Sequence, residues 1–467
     1  MDDQLSIQLS AVVFVGLIVF LLLKLKQQGR LAVWSTTEGR MGERVKTLKR
    51  VGVPLSDEED QAMLMALISR SHGTAEQLLA RLHRTGSHAF LEKFYIGFGD
   101  RSIGDCGTVT LVIENVSLIA AKHIQHDRLY RGIESSTRYI DFSDALYEPR
   151  LPGEPRRDYA KRLMQFYEKV KAVMKAKLMQ EAKDYGISVA DRMAAIHDVA
   201  RGFLPAGVST TVGLKMSLRQ LEDCLLRLMA SPLPEAASIG VTAYAACNTR
   251  YPNSFRMSEE ELNSRVIPEP LQDGLALKPP DFPDSFPAFD TGRLGKELPL
   301  PSVASSDLDL YFPTVCTTVM LDYGGYRDLQ RHNSVIRNLP VLNTDNGFHD
   351  WYLSKLPTEL LPEAHQLIAE AKQLGARFYA DLATQYCLPL GFKVPVRIKA
   401  EAGPLQFILR LRTGRSTHPI LQAGMRDLGA KLDQHYPGMF DYHREPGREE
   451  EATGRGKQTI TERKGKR

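Results

Sequence analysis

Residues 126–139 hold the densest group of side chains that could do chemistry, because arginines, serines and a glutamate stand close together there. The segment reads His-Asp-Arg-Leu-Tyr-Arg-Gly-Ile-Glu-Ser-Ser-Thr-Arg-Tyr. Arginine presents a planar fork of donors that fits a phosphate group, and a serine hydroxyl adds a shorter donor beside it. Glu134 could accept a hydrogen bond from a base or a ribose. The pattern indicates an anion or nucleotide site; the alternative is a solvated charged loop with local ion pairs.

Arg201 is a second candidate for contact with an anion, in the segment Ala-Arg-Gly-Phe-Leu-Pro at residues 200–205. An arginine that follows a helix and precedes Leu-Pro is expected near a helix end that faces a cleft. The alternative is a structural role, because cations at helix C-termini face the negative end of the helix dipole. In the second half of the chain, the adjacent Arg327 and Asp328 could likewise form a structural ion pair.

The sequence predicts neither a metal site nor a disulfide framework. His123 and His126 lie three residues apart on an expected helix, but no carboxylate or third ligand is spaced to join them. The 5 cysteines are scattered and include no Cys-x-x-Cys pair. An odd, dispersed set of cysteines excludes a cysteine zinc site and fits a reducing compartment.

Composition narrows the classes of function further. The chain has 60 Lys+Arg and 56 Asp+Glu, so its formal net charge is only +4. A bulk nucleic-acid binder is usually far more basic, so we expect no nucleic-acid partner. Hydrophobic residues make up 43% of the chain, which is enough for packed cores. The length of 467 residues suggests several domains.

The elements that must position these residues form an α+β pattern. Apolar periodicity and β-branched runs predict helices over residues 41–90, 114–128, 156–184 and 216–230, and strands over 108–113 and 315–321. Residues 256–305 are rich in proline, so we expect a linker that wraps the body. The predicted organisation is an anchor (1–30), a helical basic connector (31–87), a first domain (88–255), the linker (256–307), a second domain (308–441) and a disordered charged tail (442–467).

Residues 5–23 carry no charge and are long enough to approach the thickness of a bilayer core. Acidic Asp2 and Asp3 precede this run, whereas a cleaved signal peptide begins with a basic segment. Lysines and arginines are frequent after it, so the positive-inside rule places the body in the cytoplasm. We therefore expect a single-pass membrane protein, or a cytoplasmic one if the run is a buried helix and is not inserted.

The first half resembles the flavin-dependent thymidylate synthases, whose signature is R-H-R-x-x-S followed by x-N-E-x-S-x-R-Y. The corresponding positions are His126, Asp127, Arg128, Arg131, Ile133, Glu134, Ser136, Arg138 and Tyr139. The second part of the signature matches well, whereas the first part is degraded, and Arg131 replaces a serine next to the expected flavin. The family's G-H-x-S segment appears as residues 99–102, A-R-x-x-L-P is intact at 200–205, and the helix ending L-R is matched at Leu226 and Arg227.

The second half resembles the same family by other pieces, over residues 308–435. Residues 325–333 are similar to the family's R-Q-x-x-R-H-R, with Asp328 in place of glutamine and Arg331-His332 retained. Leu388-Pro389 aligns with the family's Leu-Pro and places Gln385 where the family has arginine. Leu411-Arg412 aligns with the terminal L-R. The E-x-S-x-R-Y portion is absent, because its register falls on Leu339, Val341 and Asn343.

The resemblance implies two tandem domains of helices packed on a small mixed or antiparallel sheet. In this family the active enzyme is a homotetramer with composite sites, so two tandem chains could form a pseudo-tetramer as a homodimer. The resemblance assigns catalytic roles to Arg227 and Arg412. It assigns dUMP binding to Glu134, Ser136, Arg138, Arg201 and Arg331, and FAD binding to Ser102, Arg128, Arg331 and His332.

The implied activity is the reductive methylation of dUMP to dTMP, with methylene-tetrahydrofolate, FAD and NADPH. The family needs no cysteine nucleophile, and no cysteine here lies in a motif. Two alternatives stay open because neither half keeps a full R-H-R-x-x-S. One is a non-catalytic nucleotide- or flavin-binding protein of the same fold, and the other is a membrane-anchored assembly protein with a vestigial cleft.

Overall fold

The computed structural model describes residues 32–34, 45–50, 58–70, 75–86, 101–147, 151, 153–181, 189–263, 283–288, 314–378 and 381–446. The predicted anchor, most of the predicted linker and nearly all of the predicted tail lie outside these ranges. None of the helices within them is both long enough and apolar enough to cross a bilayer.

The described residues form a mixed α+β structure, as predicted. The strands are β1 (Ala32–Trp34), β2 (Val45–Arg50), β3 (Thr108–Ser117), β4 (Arg131–Glu134), β5 (Ser209–Ser217), β6 (Val315–Asp322), β7 (Ile336–Arg337) and β8 (Lys393–Ala400). They form a sheet in the order β1-β2-β3-β5-β4 and a smaller one in the order β6-β8-β7. The pairs β1–β2, β2–β3, β6–β8 and β7–β8 are antiparallel.

Thirteen α-helices lie within the described residues. They are α1 (Glu58–Arg70), α2 (Ala75–Thr85), α3 (Leu118–Ile124), α4 (Glu154–Glu181), α5 (Val189–Ala200), α6 (Leu218–Met229), α7 (Pro234–Arg250), α8 (Glu259–Asn263), α9 (Tyr323–Leu329), α10 (Asp350–Lys355), α11 (Leu361–Arg377), α12 (Ala402–Arg412) and α13 (Pro419–His435). Short 3₁₀ turns occupy Arg101–Cys106, Arg201–Phe203, Thr358–Leu360 and Leu382–Tyr386.

Two predicted helices differ from the structure. Residues 45–50, expected to be helical, form β2, whose partner is β3. The helix expected over 114–128 is confirmed only as α3, because residues 114–117 continue β3. Ser117 then caps α3: its Oγ accepts a hydrogen bond from the Ala120 N–H at 2.9 Å. The helices predicted over 156–184 and 216–230, and the strand over 315–321, are confirmed within a few residues.

The chain divides by contacts into two compact units whose segments interleave along the sequence. The first unit is Met1–Asn115, Leu129–Ile133 and Thr211–Pro268, and the second is Val116–Arg128, Glu134–Thr210 and Glu269–Arg467. In the first unit, α1 and α2 pack through Met63, Leu67, Leu78 and Leu82. The domain boundaries that the sequence predicts stay a prediction.

The order of elements in residues 108–250 recurs in residues 315–435. In both stretches a strand is followed by a short helix, a short strand, two helices, a 3₁₀ turn before Leu-Pro, a strand and two helices. The second stretch differs in its short α10 and in the additional 3₁₀ turn Thr358–Leu360. Ser117 and Asp322 end the first strands at φ −67° and ψ 159° or 158°, and each accepts from the N–H three residues on. Residues at the same distance from these two caps therefore occupy equivalent positions on α3 and α9.

The two Leu-Pro segments pair with each other inside the second unit. Pro205 and Pro389 form an antiparallel bridge. The Gly391 N–H donates to the Gly202 carbonyl at 2.8 Å, and the Leu390 N–H donates to the Leu204 carbonyl at 3.0 Å. A Cβ on Gly202 would lie 2.4 Å from the ring of Tyr352, so glycine is required there. These contacts fix the 3₁₀ turn that carries Arg201.

Candidate functional site

Glu134 lies at the end of β4, and its buried carboxylate is held by two cations from different halves of the chain. The Nζ of Lys122 lies 2.6 Å from Oε2, and the Nη2 of Arg327 lies 2.6 Å from Oε1. Lys122 and Arg327 each stand five residues after a cap, Ser117 or Asp322, so they are equivalent positions on α3 and α9. Burial alone would raise the pKa of Glu134, but Arg327 and Lys122 outweigh it and lower the pKa to about 2.

Lys122 is a residue of this site that the sequence reasoning did not identify. Its side chain is fully buried, and burial, opposed by Glu134, lowers its pKa to about 7. The signal was present in the sequence: Lys122 is the one fully charged side chain in α3, which reads Leu-Ile-Ala-Ala-Lys-His-Ile. A lysine in so apolar a helix indicates a buried partner, because buried charges are almost always paired.

Arg138 forms a bidentate ion pair with Asp198 of α5. The Arg138 Nε lies 2.8 Å from Oδ1 and Nη2 lies 3.1 Å from Oδ2, with both side chains buried. The backbone carbonyl of Asp198 lies 3.2 Å from Nε2 of His418, which precedes α13. Ser136 is half-buried, and its Oγ accepts from the backbone N–H of Arg138 at 3.3 Å.

Arg201 is almost completely buried and contacts residues of the second half. Its Nη1 lies 2.9 Å from Oδ2 of Asp328, and its Nε lies 3.5 Å from the Tyr352 hydroxyl. That hydroxyl donates to Oδ2 of Asp322 at 2.6 Å. Arg327 and Asp328 therefore do not form the local ion pair considered above, since each reaches a residue of the first half.

Arg412, at the end of α12, connects His332 to Asp328. Its Nε donates to Nε2 of His332 at 2.7 Å, and its Nη2 donates to the backbone carbonyl of Asp328 at 2.8 Å. Burial and the nearby Arg412 lower the pKa of His332 to about 3, so the imidazole is neutral at pH 7. Because Nε2 accepts, the proton of the neutral ring is on Nδ1.

The other predicted site residues lie in more exposed positions. Arg331 and Arg128 are exposed, and within the described ranges neither forms an ion pair. Ser102 and Arg227 belong to the first unit; Ser102 is exposed, and Arg227 Nη2 donates to the sulfur of Cys224 at 3.4 Å. The structure thus brings together Glu134, Arg138, Arg201, Arg331, His332 and Arg412, all of which lie in the second unit.

We call this group, with its newly found partners, the arginine cluster. Its members are Lys122, Glu134, Arg138, Asp198, Arg201, Arg327, Asp328, Arg331, His332 and Arg412. Cationic side chains outnumber carboxylates in it by six to three, or by six to four with Asp322, whose Oδ2 lies 3.8 Å from Nη2 of Arg201, so the cluster is suited to an anion such as a phosphate. Among the described residues, no group of His, Cys, Asp and Glu could hold a metal ion.

The residues that the resemblance assigns to FAD fit the cofactor in part. Arg128 and Arg331 are exposed cations that could neutralise the diphosphate of a flavin nucleotide. His332 cannot add positive charge, because its pKa is about 3 and its Nε2 already accepts from Arg412. Arg131 is exposed, and the Cβ that Gly132 lacks would lie 2.1 Å from the Gly213 carbonyl, so the backbone there admits no bulkier residue.

A family model matches part of the first half of the chain. Residues 54–253 match the model of a family described as thymidylate synthase complementing protein. The matched range contains Glu134, Ser136, Arg138 and Arg201. The resemblance to the flavin-dependent thymidylate synthases is therefore confirmed for this part of the chain.

Relatives extend over most of the chain but carry no assigned activity in their names. A UPF0159 protein of Chlamydia muridarum is 25% identical and aligns with 76% of this chain and 80% of its own. A UPF0159 protein of Chlamydia pneumoniae is 22% identical with the same coverage. A UPF0159 protein of Thermoplasma acidophilum is 22% identical, over 74% of this chain and 85% of its own.

Two solved structures illustrate the likeness to known folds, and both have low TM-scores. A UMP/dUMP methylase, PolB, from Streptomyces cacaoi bound with 5-Br dUMP is 16% identical, covers 48% of this chain and 96% of its own, and has a TM-score of 0.29. A flavin-dependent thymidylate synthase, ThyX, from Helicobacter pylori complexed with FAD and dUMP is 18% identical, covers 44% and 94%, and has a TM-score of 0.25. We draw nothing from likenesses this weak.

Proposed function

We propose that this chain, whose residues 54–253 match the thymidylate synthase complementing proteins, methylates dUMP to dTMP. One observation carries the proposal. Glu134, Arg138 and Arg201 of the matched region meet Arg331 and Arg412 of the second half in one cluster with excess positive charge. A composite site needs such a meeting, and two halves that had decayed independently would not require it.

The residues of the cluster suggest the following division of roles. Arg201, Arg138 and Arg331 bind the phosphate of dUMP, because guanidinium groups match phosphate oxygens in geometry and charge. Glu134, kept ionised and oriented by Lys122 and Arg327, accepts a donor of the base or the sugar. Ser136 supplies a hydroxyl beside it.

Arg412 polarises the pyrimidine and stabilises negative charge as it develops on the ring. His332 orients Arg412 by accepting its Nε–H, and as a neutral group it adds no charge. Arg227 belongs to the first unit, so its catalytic role rests on the resemblance alone. Arg128 and Arg331 would hold FAD, which would supply the hydride chemistry, with NADPH as reductant and methylene-tetrahydrofolate as carbon donor. Ser102 also belongs to the first unit, so its role toward FAD rests on the resemblance alone.

The recurring order of elements supports the further proposal of a tandem duplication. The shared cap geometry and the pairing of the two Leu-Pro segments agree with it. A homodimer of such chains would contain four related domains, which is the composition of a tetramer of single-domain chains. We also retain the proposal that residues 5–23 anchor the body to a membrane with the rest in the cytoplasm.

The test is activity of the purified full-length chain in detergent. We expect flavin absorbance and release of tritium from the 5-position of labelled dUMP when all substrates are supplied. Arg331→Ala should lower kcat/KM, whereas Arg410→Ala, which removes an exposed arginine on α12, should not. A colourless protein that FAD cannot reconstitute, and that releases no tritium, would contradict the proposal.

A second candidate, a non-catalytic nucleotide-binding protein, is favoured by a different observation. Glu134, Arg138 and Arg201 each already have a protein partner in a buried ion pair. A ligand must therefore displace internal charges, which costs free energy that an open site would not require. Saturable dUMP binding without tritium release would support this candidate, and measurable release would exclude it.

A further inference from the structure

The carboxylate of Asp328 lies where the buried and the exposed arginines of the cluster meet. Its Oδ2 is 2.9 Å from Nη1 of Arg201, and its side chain is 12% exposed against 1% for Arg201. Its backbone carbonyl accepts from Nη2 of Arg412 at 2.8 Å. Asp328 is therefore the more exposed partner of a buried guanidinium, three residues before the exposed Arg331.

Several arginines share this one carboxylate. Burial would raise the pKa of Asp328, but Arg201, Arg138, Arg331 and Arg412 together hold it well below its usual range. Arg138 already has Asp198, and Arg412 already has His332, so their attraction to Asp328 acts at longer range. The Asp328 carboxylate presents to Arg201 the kind of oxygen that a phosphate would present.

We propose that Asp328 is a built-in counter-ion that occupies the anion position of the arginine cluster and determines which ligands can enter it. An incoming anion must compete for Arg201 with the Asp328 carboxylate, which stays close to Arg201 because it belongs to the same chain. A phosphate monoester, with two charges and three terminal oxygens, gains enough from Arg201 and Arg331 to do so. A ligand with a single carboxylate gains no more than Asp328 already supplies.

Asp328 should affect the stability of the fold as well as the binding of anions. If Asp328 is neutralised, Arg201 keeps the Tyr352 hydroxyl at 3.5 Å and the Asp322 carboxylate at 3.8 Å, and neither contact is close. A buried charge with poor compensation destabilises the fold. Bound phosphate would restore the missing charge, so phosphate should stabilise the neutralised protein more than the wild type.

The experiment compares the full-length wild type with Asp328→Asn and with the charge-preserving control Asp328→Glu. Inorganic phosphate is the probe, measured by calorimetry and by the thermal unfolding midpoint against chloride of equal ionic strength. We expect Asp328→Asn to bind phosphate about tenfold more tightly or better, since a competing charge is gone. Asp328→Glu keeps the competing charge and should bind phosphate no more tightly than the wild type. Equal affinity in all three proteins, or an equal gain in both variants, would overturn the proposal.

Instability of the variant does not prevent the test. If Asp328→Asn is recovered folded in phosphate but not in matched chloride, the rescue itself supports the counter-ion role. If phosphate does not rescue it, the proposal fails.

This inference deepens the proposed function and rests on it for the identity of the ligand. The two fail differently, because phosphate binding and turnover are measured separately. Asp328→Asn could bind phosphate more tightly while the wild type releases no tritium from dUMP. That result would support the counter-ion role and contradict the proposed methylation of dUMP. If the wild type releases tritium but Asp328→Asn binds phosphate no more tightly, the proposed activity is supported and the counter-ion role is contradicted.

Discussion

Two regions of the second unit share the same order of elements but differ in charge. Glu134, Arg138 and Arg201 in residues 126–205 correspond to Leu339, Asn343 and Gln385 in the second half, by the register of the resemblance. Arg201 reaches Asp328, which is 127 residues away along the chain. Gln385 instead forms hydrogen bonds with backbone groups of the second half. Its Oε1 accepts from the Leu342 N–H at 2.9 Å, and its Nε2 donates to the Leu382 carbonyl at 3.1 Å.

The difference shows that the 3₁₀ turn before Leu-Pro does not require a charged residue. The neutral amide of Gln385 forms hydrogen bonds with the backbone around it, and Val341, Asn343, Thr384 and Gln385 line a pocket there. Buried ion pairs often contribute no more stability than apolar groups of similar size. On the proposed function, the charges of the first region serve a ligand, and the fold does not require them.

The largest expected loss of stability follows from breaking the Arg138–Asp198 ion pair. Arg138→Leu should lower the free energy of unfolding by about 3–5 kcal/mol, because Asp198 would stay buried without its guanidinium. The corresponding Asn343→Leu should lower it by less than about 1 kcal/mol, since Asn343 is only half-buried. Urea unfolding measures both changes. Equal losses at the two positions would break the comparison.

The second largest expected difference is in how the free energy of unfolding depends on acidic pH. The pKa of Glu134 in the folded state, about 2, is below the unfolded value of 4.5. Its contribution is therefore present above about pH 4.5 and is lost as the pH falls toward 2, on the order of 3 kcal/mol in total. Leu339 contributes no such dependence. The free energy of unfolding of Glu134→Gln, measured from pH 6 to pH 2, should decline less than that of the wild type.

A smaller effect is expected at Gln385. Gln385→Leu removes the acceptor of the Leu342 N–H and should cost about 1–2 kcal/mol of stability. Phosphate and dUMP binding should not change, because Gln385 lies outside the arginine cluster. Calorimetric titration of the variant decides the point: weaker dUMP binding would show that the second region is also a ligand site.

The smallest effect on stability is expected at Arg331. Arg331→Ala should change the free energy of unfolding by less than about 0.5 kcal/mol, because the side chain is exposed. Phosphate affinity should nevertheless fall several-fold, and more at low salt than at high salt. The pKa of His332 should rise, since Arg331 contributes to lowering it. NMR titration of the imidazole measures that shift, and an unchanged phosphate affinity would place Arg331 outside the anion site.

Much of the local structure could be predicted from the sequence. The strand over 315–321 and the helices over 156–184 and 216–230 follow from β-branched runs and from apolar periodicity. The bounds of α3 differ from the prediction because β3 continues to Ser117, past the positive φ of 55° at Asn115, and a short apolar segment fits a strand as well as a helix. The strand β2 was missed because its pairing with β3 is a contact distant in sequence.

Less of the candidate site could be predicted. The resemblance identified Glu134, Arg138 and Arg201, but Lys122, Asp198 and Asp328 became visible as their partners only in three dimensions. Arg327 was considered as a partner of its neighbour Asp328, which is the nearest opposite charge in the sequence. A side chain on a helix reaches residues three or four positions away more easily than its immediate neighbour, so adjacency was a poor guide.

The sequence by itself determined the residue types, the caps and the order of elements, because these depend on interactions over a few residues. Only the tertiary structure decided which charge meets which. Arg327 and Glu134 are 193 residues apart along the chain, yet their charged atoms lie 2.6 Å apart. The reason is physical: a buried carboxylate takes whichever cations the packing of β4, α3 and α9 brings to it, and that packing is set by contacts distributed over both halves.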